Sequence, residues 1–396
     1  MQKTEQMNAK ALMIFLNAVL IVDFFRMIIP SSIIVGAIQY VIYIGIALYV
    51  CKNIAIIDHF KLRKPVVYVF LLLIFLILLS YAFCSDISQA FGYYIPFVLT
   101  RVIPSIYLMN TLNDTLLRYM FLEIKKYRLI WLIYALAGSA WVPANYPNHY
   151  SMTYGYNLLL PVCFSMYFFI KYKEIKWGIY GILFIGFMTL FGSRASLLCA
   201  IVFFISAYIA VQPQNAHTGK TVRMLILVFL GLIVIINFEQ ILGILQMLVP
   251  NSRTLYLLSN NITFDSGRSE IQDLYLSAIM ANPFKFNGLF SDRVYYSKVV
   301  HSQFSITNYP HDFLIEILFQ YGVPLGIAFL LLFSIKTIKT AHSCLCENQN
   351  DDIICLFFAL FVSGVVKLFF SASYLTSVEF YLFIGFLIIA PKLKKG

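Results

Sequence analysis

The side chains in this sequence that could do chemistry are basic residues and histidines set among long apolar runs. Arg194 follows Gly192-Ser193, Arg268 follows Ser266-Gly267, and His311 stands between Pro310 and Asp312. A neutral imidazole near pH 7 is a suitable general base, and arginines can share its aqueous face. A lone histidine is more often a hydrogen-bonded structural residue. Its combination with Arg194 and Arg268 favours a catalytic role for His311.

Other ionisable residues fall inside or beside apolar runs, where charge is unfavourable and usually faces a cavity or a partner. Arg101 is open to two interpretations, an interhelical ion pair or part of a substrate path. Lys367 and Arg293 are further candidates for such a path. Asp23 and Arg26 are three residues apart on one predicted helix, so we expect a local structural pair.

The composition indicates which elements must position these residues. Hydrophobic residues make up 61% of the 396 residues and charged residues only 12%, whereas about a quarter of residues are charged in soluble proteins. The net charge of +11 is spread over short connections rather than gathered in one patch, so a nucleic-acid partner is not expected. The seven cysteines indicate neither a disulfide framework nor a metal site, and no cofactor is expected.

The apolar runs predict an all-α polytopic membrane protein with about twelve transmembrane helices, since a span needs about 20 apolar residues. The predicted spans are 11–29, 31–50, 66–84, 91–109, 129–142, 155–170, 177–192, 195–211, 223–249, 312–334, 353–370 and 376–391. If both termini are cytoplasmic, most of the 29 Lys and Arg residues fall in cytoplasmic segments, as the positive-inside rule requires. We therefore expect one membrane domain over 1–396 in an inner (cytoplasmic) membrane, crossed many times.

One large polar segment, 250–311, lies between predicted helices 9 and 10 and is expected on the periplasmic side. It is too long for a plain connection, so we expect it to fold. A turn at Arg268 leads into a predicted amphipathic helix that ends at Asn282-Pro283. A second interpretation is that this helix lies on the membrane surface as a structural lid. That interpretation is compatible with a segment that folds.

The stretch from about 185 to 330 resembles the superfamily of O-antigen polymerases and O-antigen ligases. The resemblance rests on Gly192-Ser193-Arg194, on Gly267-Arg268-Ser269-Glu270 with the later Gly288, and on His311-Asp312-Phe313-Leu314 with Tyr321-Gly322. The sequence departs from the family pattern at Asp312, where a small residue or Asn is typical. It also departs in an aliphatic residue after the Gly-Arg motif and in the spacing of Gly322 and Gly326.

The resemblance implies an inverting glycosyltransferase of type-C architecture that uses undecaprenyl-diphosphate-linked glycans as donor and acceptor in the bacterial inner membrane. Arg194 and Arg268 would bind the diphosphate, because arginine forms bidentate bonds to phosphate. His311 would be the base that activates the acceptor hydroxyl. No Asp-x-Asp cluster is present, so metal independence is expected. Membrane lipid and a chain-length regulator protein are further expected partners.

Two other functions compete with polymerisation of repeat units. A ligase would transfer the glycan to the lipid A core, and the Asp312 departure favours the polymerase. A lipid-linked oligosaccharide flippase or other transporter would also have about twelve spans but usually shows two related halves, and no internal repeat is visible here. A non-enzymatic scaffold would not need arginines at headgroup depth.

Overall fold

The computed structural model describes residues 2–29, 32–57, 63–83, 90–146, 148–211, 222, 237–260, 268–348 and 350–390, which form helices and turns and contain no strand. The helices are α1 Gln2–Ile28, α2 Ser32–Ile57, α3 Lys64–Phe83, α4 Phe91–Phe97, α5 Ile103–Thr111, α6 Asp114–Ile124, α7 Arg128–Asn145, α8 Met152–Asn157, α9 Leu159–Tyr172, α10 Ile175–Phe191, α11 Arg194–Ala210, α12 Phe238–Leu248, α13 Arg253–Asn260, α14 Arg268–Ala281, α15 Ser291–Val299, α16 Phe313–Tyr321, α17 Val323–His342, α18 Asp351–Gly364 and α19 Val378–Ile389. The prediction of an all-α protein is confirmed for these residues.

Several of these helices are long and apolar enough to cross a membrane. Within the described ranges, six stretches meet this criterion by length and composition: Thr4–Ile28, Ile33–Lys52, Lys64–Phe83, Met152–Tyr172, Val323–Cys346 and Asp351–Phe369. In α3 only 11% of the apolar window is buried in the protein, and Phe75 and Leu78 are exposed. Such a large apolar surface is stable in lipid but not in water. The chain is therefore a multi-pass membrane protein; most of the predicted span 223–249 lies outside the described residues.

The chain divides into two compact units. The first consists of Met1–Ile42, Thr115–Phe264 and Gln349–Ser363, and the second of Tyr43–Asp114, Asp265–Asn348 and Gly364–Gly396. Each unit thus combines segments that are distant in sequence. A single membrane domain over the whole chain stays a prediction.

The first unit has an aromatic core. Its helix α9 packs against α10 and α11, and α7 packs against α1 and α10. Trp131 stacks on Phe164 with ring centroids 6.3 Å apart, and Phe168 lies 4.8 Å from the ring of Trp177. Aromatic rings bury large apolar areas, so these contacts hold the helices of this unit together.

The second unit contains a distorted helix that carries Arg101. Between α4 and α5, residues Val98–Val102 form a π-turn with Pro96 on one side and Pro104 on the other. Proline has no backbone N–H and cannot complete the α-helical bonding pattern, and π-turns concentrate at functional positions. Helix α5 packs against α19, while α14, α15 and α17 contact α16.

The predicted helix after Arg268 is confirmed. Helix α14 begins at Arg268 and ends at Ala281, just before Asn282-Pro283, and Tyr275 is its buried residue. Three helices, α13 to α15, lie between residues 250 and 311, so this segment is partly helical within its described ranges.

Candidate functional site

His311 lies in a turn directly before α16. Its backbone has a φ of +58°, in the left-handed region that residues other than glycine seldom adopt. Asp312 then caps the helix, since its Oδ1 accepts hydrogen bonds from the backbone N–H groups of Leu314 (2.8 Å) and Ile315 (3.0 Å). The helix begins at Phe313, so Asp312 has a local structural role beside the histidine as a helix cap.

The imidazole of His311 is partly buried against Tyr309, with ring centroids 4.2 Å apart. Burial, and after it the charges of Arg268 and Arg293, together lower the pKa of His311 to about 4. Its Nδ1 atom is buried without a hydrogen-bond partner among the described residues. His311 is therefore neutral at pH 7 and able to accept a proton.

Arg268 belongs to the same unit as His311. It is the first residue of α14, and its Nη1 donates a 2.6 Å hydrogen bond to the backbone carbonyl of Phe370. The hydroxyl of Tyr309 donates to the carbonyl of the next residue, Ser371, at 2.8 Å. Arg268 and the Tyr309–His311 pair thus contact the same short stretch, and the structure brings together two of the three principal predicted site residues.

Arg293 is fully buried at the centre of an ionic cluster. Its Nη1 contacts the carboxylates of Asp292 and Glu316, the latter at 2.6 Å, and its Nη2 donates to Ser373. The guanidinium also lies 5.1 Å from the ring centroid of Tyr309. Arg293 therefore makes a cation–π contact with Tyr309, while its predicted role in a substrate path stays a prediction.

The residues that complete this cluster were not identified from the sequence. Gln320 donates to Asp292 at 2.8 Å, the hydroxyl of Tyr374 donates to Gln320, and that of Ser373 donates to Glu316. One feature of the sequence could have indicated this ionic cluster: Glu316 is an ionisable residue inside the apolar run Phe313–Phe319.

The side chains of Arg101 and Lys367 form polar contacts in the same region of the second unit. Arg101 donates from Nη2 to the carbonyl of Thr376 at 2.6 Å, and Lys367 forms a 2.7 Å ion pair with Glu379. Arg268, Tyr309, Arg293 and Arg101 thus all contact one non-helical stretch, residues 370–377, which we call the 370–377 segment. Several predicted basic residues therefore share one set of acceptors.

Arg194 belongs to the first unit. The predicted turn between two helices is confirmed, because α10 ends at Phe191 and α11 begins at Arg194. Ser193 caps α11 in a reciprocal arrangement with Ser196. The hydroxyl of Ser252 donates to the carbonyl of Leu190 at 2.6 Å, which fixes the turn from a second element.

Close backbone packing also holds this turn. A Cβ added to Gly155 would lie 2.6 Å from the hydroxyl oxygen of Ser196 and 2.9 Å from the backbone nitrogen of Ser193. Only glycine allows this approach. The position of Arg194 is thus determined by contacts that include α8, which is distant from it in sequence.

Comparison of the chain with family models, with curated proteins and with solved structures finds no match. Within the described ranges, no group of three or more His, Cys, Asp and Glu side chains could hold a metal ion. Metal independence stays a prediction about the reaction.

Proposed function

We propose that this protein is a membrane-embedded inverting glycosyltransferase that joins undecaprenyl-diphosphate-linked oligosaccharide repeat units, as an O-antigen polymerase does. The proposal includes about twelve spans, a type-C architecture, and a 250–311 segment at the periplasmic face of the bacterial inner membrane. The observation that supports it most is the neutral His311 placed under the electrostatic influence of Arg268 and Arg293. The resemblance of three short motifs supplies the reaction.

The reaction needs a proton acceptor and a stabilised leaving group. An acceptor hydroxyl forms a bond to the anomeric carbon of the donor while the bond from that carbon to the diphosphate breaks, and undecaprenyl diphosphate leaves with the electron pair. His311 takes the hydroxyl proton, which is consistent with a neutral imidazole whose buried Nδ1 has no partner among the described residues. The low pKa makes His311 a weak base that releases the proton readily after each transfer.

Arginine is suited to stabilising the diphosphate leaving group. Negative charge increases on the diphosphate oxygens as the bond breaks, and a guanidinium can donate two parallel hydrogen bonds to them. Arg268 is the candidate in the second unit and Arg194 the candidate in the first. A lysine would supply the charge without the fork, so it is not an equivalent replacement.

Purified protein incubated with an undecaprenyl-diphosphate-linked repeat unit and a metal chelator tests the proposal. We expect a ladder of glycan lengths on a gel. His311→Gln should reduce its rate of formation by about a hundred- to ten-thousand-fold, and Arg268→Lys should be nearly as damaging as Arg268→Gln. Arg118→Gln is the matched control, because Arg118 is exposed in α6.

The outcomes separate the alternatives. Full activity of His311→Gln would overturn the assignment of the base. When lipid A core is added as a second acceptor, a single transfer to it without a ladder identifies a ligase. When the protein is reconstituted into liposomes, movement of the lipid-linked glycan across the bilayer without any new glycosidic bond identifies a flippase. Equal thermal stability of the variants and the wild type shows that a lost activity is not lost folding.

A further inference from the structure

A polar groove in the first unit is separate from the residues that the proposed reaction uses. It has a volume of 660 Å³ and lies where the end of α1, the start of α2 and the end of α7 meet. Its polar lining comes from Arg26, Gln39, Trp141 and Asn145, and its apolar lining includes Ile28. Gly36 forms part of the wall, and a Cβ added there would meet nothing within 4 Å.

Arg26 gives the groove a cation whose charge is only partly compensated. Its guanidinium lies 3.7 Å from Asp23 Oδ1, and the Arg26 side chain is 56% exposed while that of Asp23 is 13% exposed. Asp23 Oδ2 accepts hydrogen bonds from Tyr134 (2.7 Å) and Asn157 (3.1 Å), which direct this carboxylate toward the interior. A partly exposed pair of this length contributes little, so Arg26 can bind a stronger anion in the groove.

The uncharged side chains that line the groove suit the hydroxyl groups and the ring of a sugar or polyol. Gln39 and Asn145 offer carboxamides, and the amide nitrogen of Asn145 already donates to the carbonyl of Trp141 at 2.9 Å. Trp141 presents a half-buried indole, a surface on which the C–H face of a polyol can pack. A guanidinium, carboxamides and an indole together match a phosphate ester that carries hydroxyl groups.

The position of the groove indicates where such a phosphate would come from. The stretches Thr4–Ile28 and Ile33–Lys52 are both long and apolar enough to cross a membrane. The groove lies at the end of the first and the start of the second, so it lies at the depth of the lipid headgroups. Ile28 and Ile33 are exposed beside it, as expected for side chains that contact lipid chains.

We propose that this groove binds the phosphate-bearing, hydroxylated headgroup of a membrane lipid, with Arg26 on the phosphate and Trp141 against the polyol. Free phosphate esters share the headgroup chemistry, but the adjoining apolar helix surface favours a lipid. The proposal does not depend on glycosyl transfer and holds whatever the function of His311.

Native mass spectrometry of the delipidated full chain, titrated with phosphatidylglycerol, tests the site. We expect a saturable first lipid whose affinity falls at least about tenfold in Arg26→Gln, because a charge-assisted hydrogen bond is lost. Gly36→Leu should weaken this binding, because Gly36 lines the groove, an added Cβ there meets nothing within 4 Å, and the larger side chain narrows the groove. Gly45→Leu is its matched control, since Gly45 lies in the same helix and also has nothing within 4 Å of an added Cβ; Arg118→Gln is the control for the charge.

Two further titrations distinguish the ligand chemistry. A glucosyl diacylglycerol, which has the sugar and the chains but no phosphate, should bind at least about tenfold more weakly than phosphatidylglycerol. Unchanged phosphatidylglycerol binding in Gly36→Leu, or equal affinity for the glucosyl lipid, would overturn the site. Displacement of the lipid by inorganic phosphate at equal concentration, dependent on Arg26, would assign the groove to a soluble phosphate ester and overturn the lipid assignment.

Discussion

The protonation of His311 depends on neighbours that the sequence places far apart. Arg268 opens α14, Arg293 lies within α15, and both act on an imidazole that burial already holds neutral. A permanently charged guanidinium near a histidine favours the uncharged ring. The pKa of His311 is therefore a measure of whether these side chains meet as described.

We predict that Arg268→Gln raises the pKa of His311 from about 4 toward, but not up to, its ordinary value of 6.5, because burial remains after the charge is removed. The pKa can be read from NMR titration of histidine-labelled protein, with His311→Gln to assign the signal. Replacement of the exposed Lys285 by Gln should leave the titration unchanged. An unshifted pKa in Arg268→Gln would show that this charge does not act on the imidazole.

The same pKa predicts how stability depends on pH. In the folded protein His311 stays neutral down to about pH 4, whereas in the unfolded chain it takes up a proton below about pH 6.5. Protonation thus favours the unfolded chain, and stability falls as pH decreases from 6.5 to 4. The midpoint of unfolding should therefore decrease less in His311→Gln than in the wild type over this range, and an equal decrease would contradict the low pKa.

Arg293 should be among the most important residues for stability in the second unit. Arg293→Met leaves the carboxylates of Asp292 and Glu316 buried without their cation, which destabilises a protein by about 3–5 kcal/mol. Glu316→Gln should be milder, because one arginine faces two acidic side chains and one acid can be neutralised. Unfolding in detergent measures both.

The control for Arg293 is an exposed pair. Lys126 lies 2.6 Å from Glu123, but the Lys126 side chain is 65% exposed. Lys126→Met should therefore leave the unfolding midpoint unchanged within error, since solvent screens exposed ion pairs. If Arg293→Met also left the unfolding midpoint unchanged, the buried cluster would not hold the 370–377 segment in place.

At the scale of elements, the sequence was informative where the signal is local. The turn between the predicted spans 177–192 and 195–211, and the helix that begins at Arg268 and ends before Asn282-Pro283, follow from short patterns of small, polar and apolar residues, and both are present. The 370–377 segment could not be foreseen in the same way. Its carbonyl groups accept from Arg101 and Arg268, and a backbone carbonyl leaves no mark in the sequence.

The turn that carries Arg194 provides a prediction at this scale. Gly155→Ala should destabilise the protein by about 1–3 kcal/mol, because the new methyl group would enter the space of Ser193 and Ser196. Thermal unfolding measures the change. Gly186→Ala, in α10, is the matched control: nothing lies within 4 Å of its added Cβ, so stability should be equal or higher. Equal behaviour of the two variants would mean that the turn does not need the close approach of α8.

At the scale of the whole molecule, the orientation in the membrane decides whether the proposed site faces the periplasm. The distribution of Lys and Arg favours cytoplasmic termini, because basic residues near spans are retained in the cytoplasm. Sandwich fusions of a fluorescent protein and of a periplasmic phosphatase test this directly. Fluorescence is expected for insertions after Lys126, Lys173 and Lys339, and phosphatase activity for insertions after Asn148, Lys285 and Ser371.

The insertion after Lys285 is the most informative of these fusions. An odd number of spans must separate Lys173 from Lys285 if they lie on opposite sides of the membrane, and the sequence predicts three there: 177–192, 195–211 and 223–249. Fluorescence after both Lys173 and Lys285 would show that an even number of spans separates them, so that at least one of the three does not cross. His311 and Arg268 would then lie on the cytoplasmic side, away from a substrate assembled at the periplasmic face. Activity after both Asn148 and Lys285 is the result that the proposed reaction requires.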